Sequence, residues 1–96
     1  MSDVKPARQA WTYLSNHAHV LIAVAKDPEA RIRDPAGLVG ITERAVFQIL
    51  SDLEASGAIV RHRLGRRTRY DIDPSVALRH PLEAHRNVAD ILRLAH

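Results

Sequence analysis

Apolar positions along the chain change their period twice. Ala18, Leu21, Ile22 and Ala25 recur at three and four residues, the spacing of one helix face. Ser15 stands where a cap belongs and Asp27-Pro28 closes the segment, so a helix is expected from Ser15 to Lys26. Asp34 followed by Pro35 is a second start signal, a cap with proline at the first helical position, for a short helix ending at Val39. Gly40 permits the left-handed backbone with which a chain leaves a helix, and Thr42 can cap the next one. That next segment carries Val46, Ile49, Leu50 and Leu53 on one stripe and meets a stop at Gly57, which gives a helix from Glu43 to Ser56.

Beyond Gly57 the period falls to two. Ile59 to Leu64 and Thr68 to Ile72 alternate around Gly65-Arg66-Arg67, as in a hairpin with a three-residue loop. Leu64 opposite Thr68 would set His62 against Tyr70 and Val60 against Ile72, with Arg61 meeting Asp71 and Arg63 meeting Arg69 on the other side. Arg31-Ile32-Arg33 alternates over a shorter span and is expected as a third strand. After Asp73-Pro74 and the stretch Ser75 to His80, Pro81 opens a last helix expected to reach Ala95. The fold class is therefore α+β and mostly helical, a three-helix core with a small antiparallel sheet and a C-terminal helix. Residues 1–14 are an N-terminal tail, 15–73 the main domain and 74–96 the last helix. Within the tail, Met1 to Ala10 shows no periodicity, and Trp11 and Tyr13 are expected to pack on the body or on a second subunit.

Composition narrows the function classes. A chain of 96 residues supports one modest core, which argues against a large buried active site. There is no cysteine, hence no disulfide framework or thiolate metal site. No run approaches the ~18 apolar residues of a membrane span, and the start MSDVKPARQA lacks the apolar core of a signal peptide. A cytoplasmic protein with no membrane partner is expected. The net charge is only +3, but Arg61 to Arg69 holds five arginines in nine residues with no acid among them. Arg63 opposite Arg69 would place like charges side by side, unfavourable in a hairpin unless a polyanion lies nearby.

The helix from Glu43 has a polar outer face. With its apolar stripe turned inward, Thr42, Glu43, Arg44, Phe47, Gln48 and Ser51 point out at its N-terminal end. Such a helix fits the major groove, where Arg pairs with guanine, Gln with adenine, Ser or Thr with base or phosphate, and Phe touches a thymine methyl. Glu43 accepts from cytosine N4 or else complements the helix N-terminus. Ala36, four residues before Gly40, lets the preceding helix cross closely. With Ala36, Val39, Gly40, Ile41, Val46 and Ile49 in register, the segment resembles the helix-turn-helix of prokaryotic transcription regulators, departing from it at Pro35, where a large aliphatic is usual. Together with the basic hairpin, the span from Ser15 to Ile72 resembles winged helix-turn-helix regulators close to the MarR and ArsR groups of bacteria and archaea. The resemblance implies a three-helix, three-stranded fold that lays the second motif helix in the major groove. It also implies a wing that brings Arg63, Arg66, Arg67 and Arg69 to the minor groove or its phosphates.

The last helix carries Leu82, Val88, Ala89, Ile91, Leu92, Leu94 and Ala95 over a wide arc, more than so small a domain covers. Leu82, Val88, Ile91, Leu92 and Ala95 are expected at a homodimer interface, since a two-fold dimer sets two recognition helices one DNA turn apart. The expected function is sequence-specific binding of double-stranded DNA by a homodimeric transcriptional regulator. The alternative is a winged helix that docks on protein, with Phe47 on the binding face; structured RNA fits less well, because its major groove is too narrow for a helix. No glycine-rich phosphate loop, serine elbow or HExxH is present, so no catalytic residue and no enzyme activity is expected. His17 and His19 lie on different helix faces, and His80 with His85 is poorly spaced for one face, so neither a metal site nor a cofactor is expected.

Overall fold

The computed structural model describes residues 11–95, and the tail expected over Met1 to Ala10 lies outside them. Its elements are α1 (Asn16–Lys26), α2 (Arg33–Val39), α3 (Glu43–Ala55), β1 (Ile59–Leu64), β2 (Arg67–Ile72) and α4 (Val88–Arg93). The Ser15 hydroxyl caps α1 by accepting from Ala18 N at 3.3 Å, and Thr42 caps α3 by accepting from Ala45 N at 3.0 Å. The turn between α2 and α3 is built on Gly40, whose φ of +85° is left-handed. Its effect is to let the Ala36 carbonyl accept from both Gly40 N (2.9 Å) and Ile41 N (3.1 Å), which closes the helix end. Gly57 does the same for α3, with Gly57 N on Glu54 O and Ala58 N on Leu53 O, both at 3.0 Å.

One core joins every element. Val20, Leu21 and Val24 of α1, Ala36 of α2, Val46, Ile49 and Leu50 of α3, Ile59 of β1, Tyr70 of β2 and Val88 of α4 are buried together. Val46 has no exposed surface. Pro35, the departure from the helix-turn-helix pattern, is buried beside Ala36. It lies at the third helical position, where no carbonyl of the helix awaits an N–H, so it fills the space of the usual aliphatic without losing a bond.

Three local expectations are corrected. The helix α2 starts at Arg33, with Ile32 before it and no side-chain cap on its own N-terminus; Asp34 instead reaches back and accepts from Arg31 N at 3.2 Å. Arg31 to Arg33 is consequently not a strand, and the sheet has two members, β1 and β2. The loop before α2 touches β2 through one backbone bond, Tyr70 N to Pro28 O at 2.9 Å. Pro28 has no N–H to return the second bond, so no ladder can grow there. The hairpin register also differs by one residue. Ile59 pairs with Ile72, Arg61 with Tyr70, His62 with Arg69, Arg63 with Thr68 and Leu64 with Arg67, around a two-residue loop of Gly65 and Arg66. Gly65 has φ +63°, the value a tight hairpin takes at its first central residue.

The last helix is shorter than expected, and Pro81 is not its start. Val88 N donates to Val76 O and Leu78 N to Arg86 O, both at 2.9 Å, which holds residues 76–78 beside 86–88 and leaves 79–85 as an excursion. Only from Val88 can the chain turn into α4, whose start is fixed by Asn87 N donating to Asp90 Oδ2 at 3.0 Å. No helix among the described residues is long and apolar enough to cross a membrane.

Replacing Gly40 by alanine forces a Cβ into the left-handed region and should lower stability by about 1–2 kcal/mol. Urea unfolding of Gly40→Ala checks this, and an unchanged midpoint would mean that the turn relaxes to another backbone.

Candidate nucleic-acid interface

The exposed side of α3 is set by the stripe on its opposite side. With Val46, Ile49 and Leu50 buried, Arg44 and Gln48 are exposed and Ser51 is half-buried on the far face, while Thr42 and Glu43 are exposed at the N-terminal end. Both flanks of this face are held by neighbours. On one, the Arg61 guanidinium of β1 lies 5.9 Å from the centroid of the Phe47 ring and its Nη2 donates to Glu54 Oε1 at 2.6 Å. The Glu54 bond raises the pKa of Arg61 above the ordinary arginine value. On the other flank, His17 Nε2 of α1 is 2.8 Å from Asp52 Oδ2, and Gln48 Nε2 donates to Asp52 Oδ1 at 3.3 Å. Phe47 thus belongs to the joint between α3 and the hairpin, capped on one ring face by a cation.

The hairpin arginines fall into two pairs with different freedom. Arg67 is tied back to the loop before α2, with Nη2 donating to Glu29 O at 3.3 Å and Nε 3.9 Å from Glu29 Oε1. Arg69 donates to Asp71 Oδ1 at 3.0 Å, and Asp71 Oδ2 is 3.0 Å from His62 Nε2. Arg63 and Arg66 are exposed and have no acidic partner among the described residues. The expected face-to-face pairing of Arg63 with Arg69 does not occur, because the observed register puts Arg63 opposite Thr68 and Arg69 opposite His62. Arg31, which the sequence pattern marked only as strand, joins Arg66 and Arg67 around a cavity of about 440 Å³ between the hairpin and the loop before α2.

The residues expected at a dimer interface are divided. Val88 is in the core, and Ile91 and Leu92 pack against it, so the arc of α4 is largely consumed by its own chain. Ala95 is half-buried, with Lys26 Nζ donating to its carbonyl at 3.3 Å. Leu82 and Leu94 stay exposed, and with Tyr13 they line one broad cavity. Sequence reasoning missed His17, Asp52, Glu54 and Arg61. The spacing of Gln48 and Asp52, four apart on one helix, was a signal for one of these contacts; the approach of α1 and the hairpin was not visible locally.

Three helices around a left-handed turn, followed by a two-stranded basic hairpin, define a winged helix-turn-helix fold. Among solved structures, a zinc-responsive MarR family member, Lactococcus lactis ZitR, has this fold with a TM-score of 0.52 at 18% sequence identity. The likeness covers 70% of this chain and 48% of that one, so the chain spans about half the length of its structural neighbour. No protein-family model matches the sequence, nor does any curated protein.

Three aspartates titrate below the ordinary aspartate value: Asp52 through its bonds from His17 and then Gln48, Asp73 through the Ser75 hydroxyl and backbone, and Asp90 chiefly through Asn87 N. A depressed carboxyl stabilises the fold above its unfolded pKa of about 3.9 and loses that contribution as pH falls through the folded value. Stability should therefore be flat with respect to these groups at neutral pH and fall in the acid range. Carbon-13 NMR of the side-chain carboxyls tests the assignment: in His17→Ala the Asp52 midpoint should rise toward the ordinary value, and an unchanged midpoint would mean that the pair does not persist in solution.

Proposed function

We propose that the protein binds double-stranded DNA as a transcriptional regulator in the cytoplasm, with α3 in the major groove and the β1–β2 hairpin as a wing on the backbone or minor groove. One observation carries the reading. The uncovered side of α3 carries Arg44, Gln48 and the half-buried Ser51 beside a half-exposed Phe47, and the adjoining hairpin presents Arg63 and Arg66 without acidic partners among the described residues. Arg44 and Gln48 supply the fork and the amide that discriminate guanine and adenine, and Ser51 takes base or phosphate. Thr42 and Glu43 stand at the helix N-terminus, where Thr42 donates its hydroxyl proton to a phosphate and Glu43 accepts from cytosine N4. Phe47, half-covered by Arg61, offers its open edge to a thymine methyl. Arg67 and Arg69 contribute positive potential, held in place by Glu29 and Asp71, and Arg31 extends that potential past the wing.

The fold shared with a MarR family member supports this reading, and so does the arginine-rich composition of the hairpin. The regulator acts as a homodimer, and the part of the apolar surface left for a second copy is that of Leu82 and Leu94 with Tyr13, where the side chains are 77%, 68% and 92% exposed. Trp11 meets Tyr13 edge to face, with ring centroids 4.9 Å apart, and enlarges the same aromatic surface.

Fluorescence anisotropy of random-sequence duplex DNA, repeated across a salt series, tests the reading. Tight binding at low salt that falls on a log–log slope is expected, and Arg66→Ala should weaken it for all sequences and reduce the slope by about one. Gln48→Ala should instead change which selected site is preferred, at a cost of roughly 1–3 kcal/mol at one base pair. Absence of binding at ~50 mM salt would overturn DNA as the partner and favour a protein-docking winged helix anchored at Phe47. For the dimer, Leu94→Asp should give monomers in sedimentation, and an unchanged dimer would move the interface elsewhere.

A further inference from the structure

The centre of the uncovered face of α3 is not free to swing. Gln48 donates through Nε2 to Asp52 Oδ1 at 3.3 Å, and the other oxygen of the same carboxylate is 2.8 Å from His17 Nε2 on α1. An ionised carboxylate only accepts hydrogen bonds. Asp52 therefore dictates the sense of the Gln48 amide, with nitrogen toward the carboxylate and oxygen away from it. One N–H and the carbonyl oxygen remain uncommitted, and these are the donor and the acceptor that adenine requires at N7 and at its amino group.

The geometry points to Asp52, braced by His17, as the positioning residue that sets the base preference of Gln48. This rests on the proposed entry of α3 into the major groove. Two further features fit the role. An acidic side chain on the flank of a DNA-binding helix faces a polyanion, an unfavourable place for a carboxylate that makes no use of it, yet Asp52 is held there by bonds from α1 and from its own helix. Each of its oxygens already accepts a bond from within the chain, one from α1 and one from Gln48 itself, the arrangement of a group that supports a reader. Glutamine also has more side-chain freedom than most residues, and ordering it before DNA arrives removes part of the entropy cost of contact. His17 matters because it comes from another element: its contact ties the carboxylate to α1 and opposes a shared move of Asp52 and Gln48 to a second rotamer.

A double-mutant cycle on the full chain tests the assignment. A preferred duplex is first selected with the unmodified protein, and Gln48→Ala locates the base pair whose discrimination it controls. Discrimination there is then measured for Asp52→Ala and for the double variant, with random-sequence duplex as the reference. Asp52→Ala should lose discrimination at that base pair by roughly tenfold, bind random-sequence duplex no more weakly than the unmodified protein, since a charge that repels phosphates is gone, and have no further effect on discrimination once Gln48 is alanine. His17→Ala should move in the same direction by a smaller factor. Independent, additive losses in the double variant would overturn the assignment. So would an equal loss of affinity for all sequences, which would make Asp52 a structural residue of the helix. Failure of the unmodified protein to bind any duplex at low salt would remove the DNA-binding reading itself, an outcome distinct from retained binding with unchanged preference.

Discussion

The burial of Val46, with Ile49 and Leu50 beside it, is the constraint on which the rest of this structure depends. That stripe sets the rotation of α3 about its own axis, and rotation decides which side chains a helix can offer to anything outside. Turning α3 by one position would expose Val46 and bury Gln48 with Asp52 or Ser51 with Glu54, exchanging apolar burial for polar groups. The Gly40 turn sets the other coordinate, the point at which α3 begins. Rotation fixed by the core and start fixed by the turn leave one face of α3 available.

Its flanks are closed by contacts of unlike kind. Toward the hairpin, Arg61 spans Phe47 and Glu54, so one side chain couples an aromatic ring and a carboxylate seven residues apart to β1. Toward α1, His17 and Asp52 meet at hydrogen-bond distance. These groups are surface groups, and pairs of that sort contribute little to stability. Their consequence is geometric: the hairpin and the first helix are registered against the same two turns of α3.

The helices of this fold were legible because their signals are local. Ser15, Thr42, Gly40 and Gly57 each act within four residues of their own position, and all four do what their chemistry suggests. What was not legible depended on residues far away. The expected register left Ile59 without a partner, whereas the core takes Ile59 and Ile72 together and thereby shifts the whole ladder by one. The expected third strand over Arg31 to Arg33 fails because Ile32 and Arg33 open α2, and the loop before them meets β2 only at Pro28, which accepts from Tyr70 but cannot donate back. The long last helix fails because residues 86–88 are claimed by 76–78 before they can wind. The site divides along the same line. The polar face of α3 follows from spacing alone, but His17 is 35 residues from Asp52. Nothing in either neighbourhood announces the meeting.

The corrected register also changes what the basic hairpin means. With Arg63 and Arg69 on opposite faces, the arginine cluster is not held together against its own repulsion, and that repulsion no longer argues for a polyanion. A different argument replaces it. Three of the five hairpin arginines are spent on acids of the same chain, Arg61 on Glu54, Arg67 on Glu29 and Arg69 on Asp71, and a guanidinium already paired has little to gain from a phosphate. Arg67 and Arg61 tie the hairpin to the body at two places, one to the loop before α2 and one to α3. The arginines left over, Arg63 and Arg66, are thereby carried on a hairpin braced against α3 and the loop before α2. Guanidinium groups unpaired among the described residues thus stand on two elements, Arg44 on α3 and Arg63 and Arg66 on the hairpin, and Arg61 holds those two elements together.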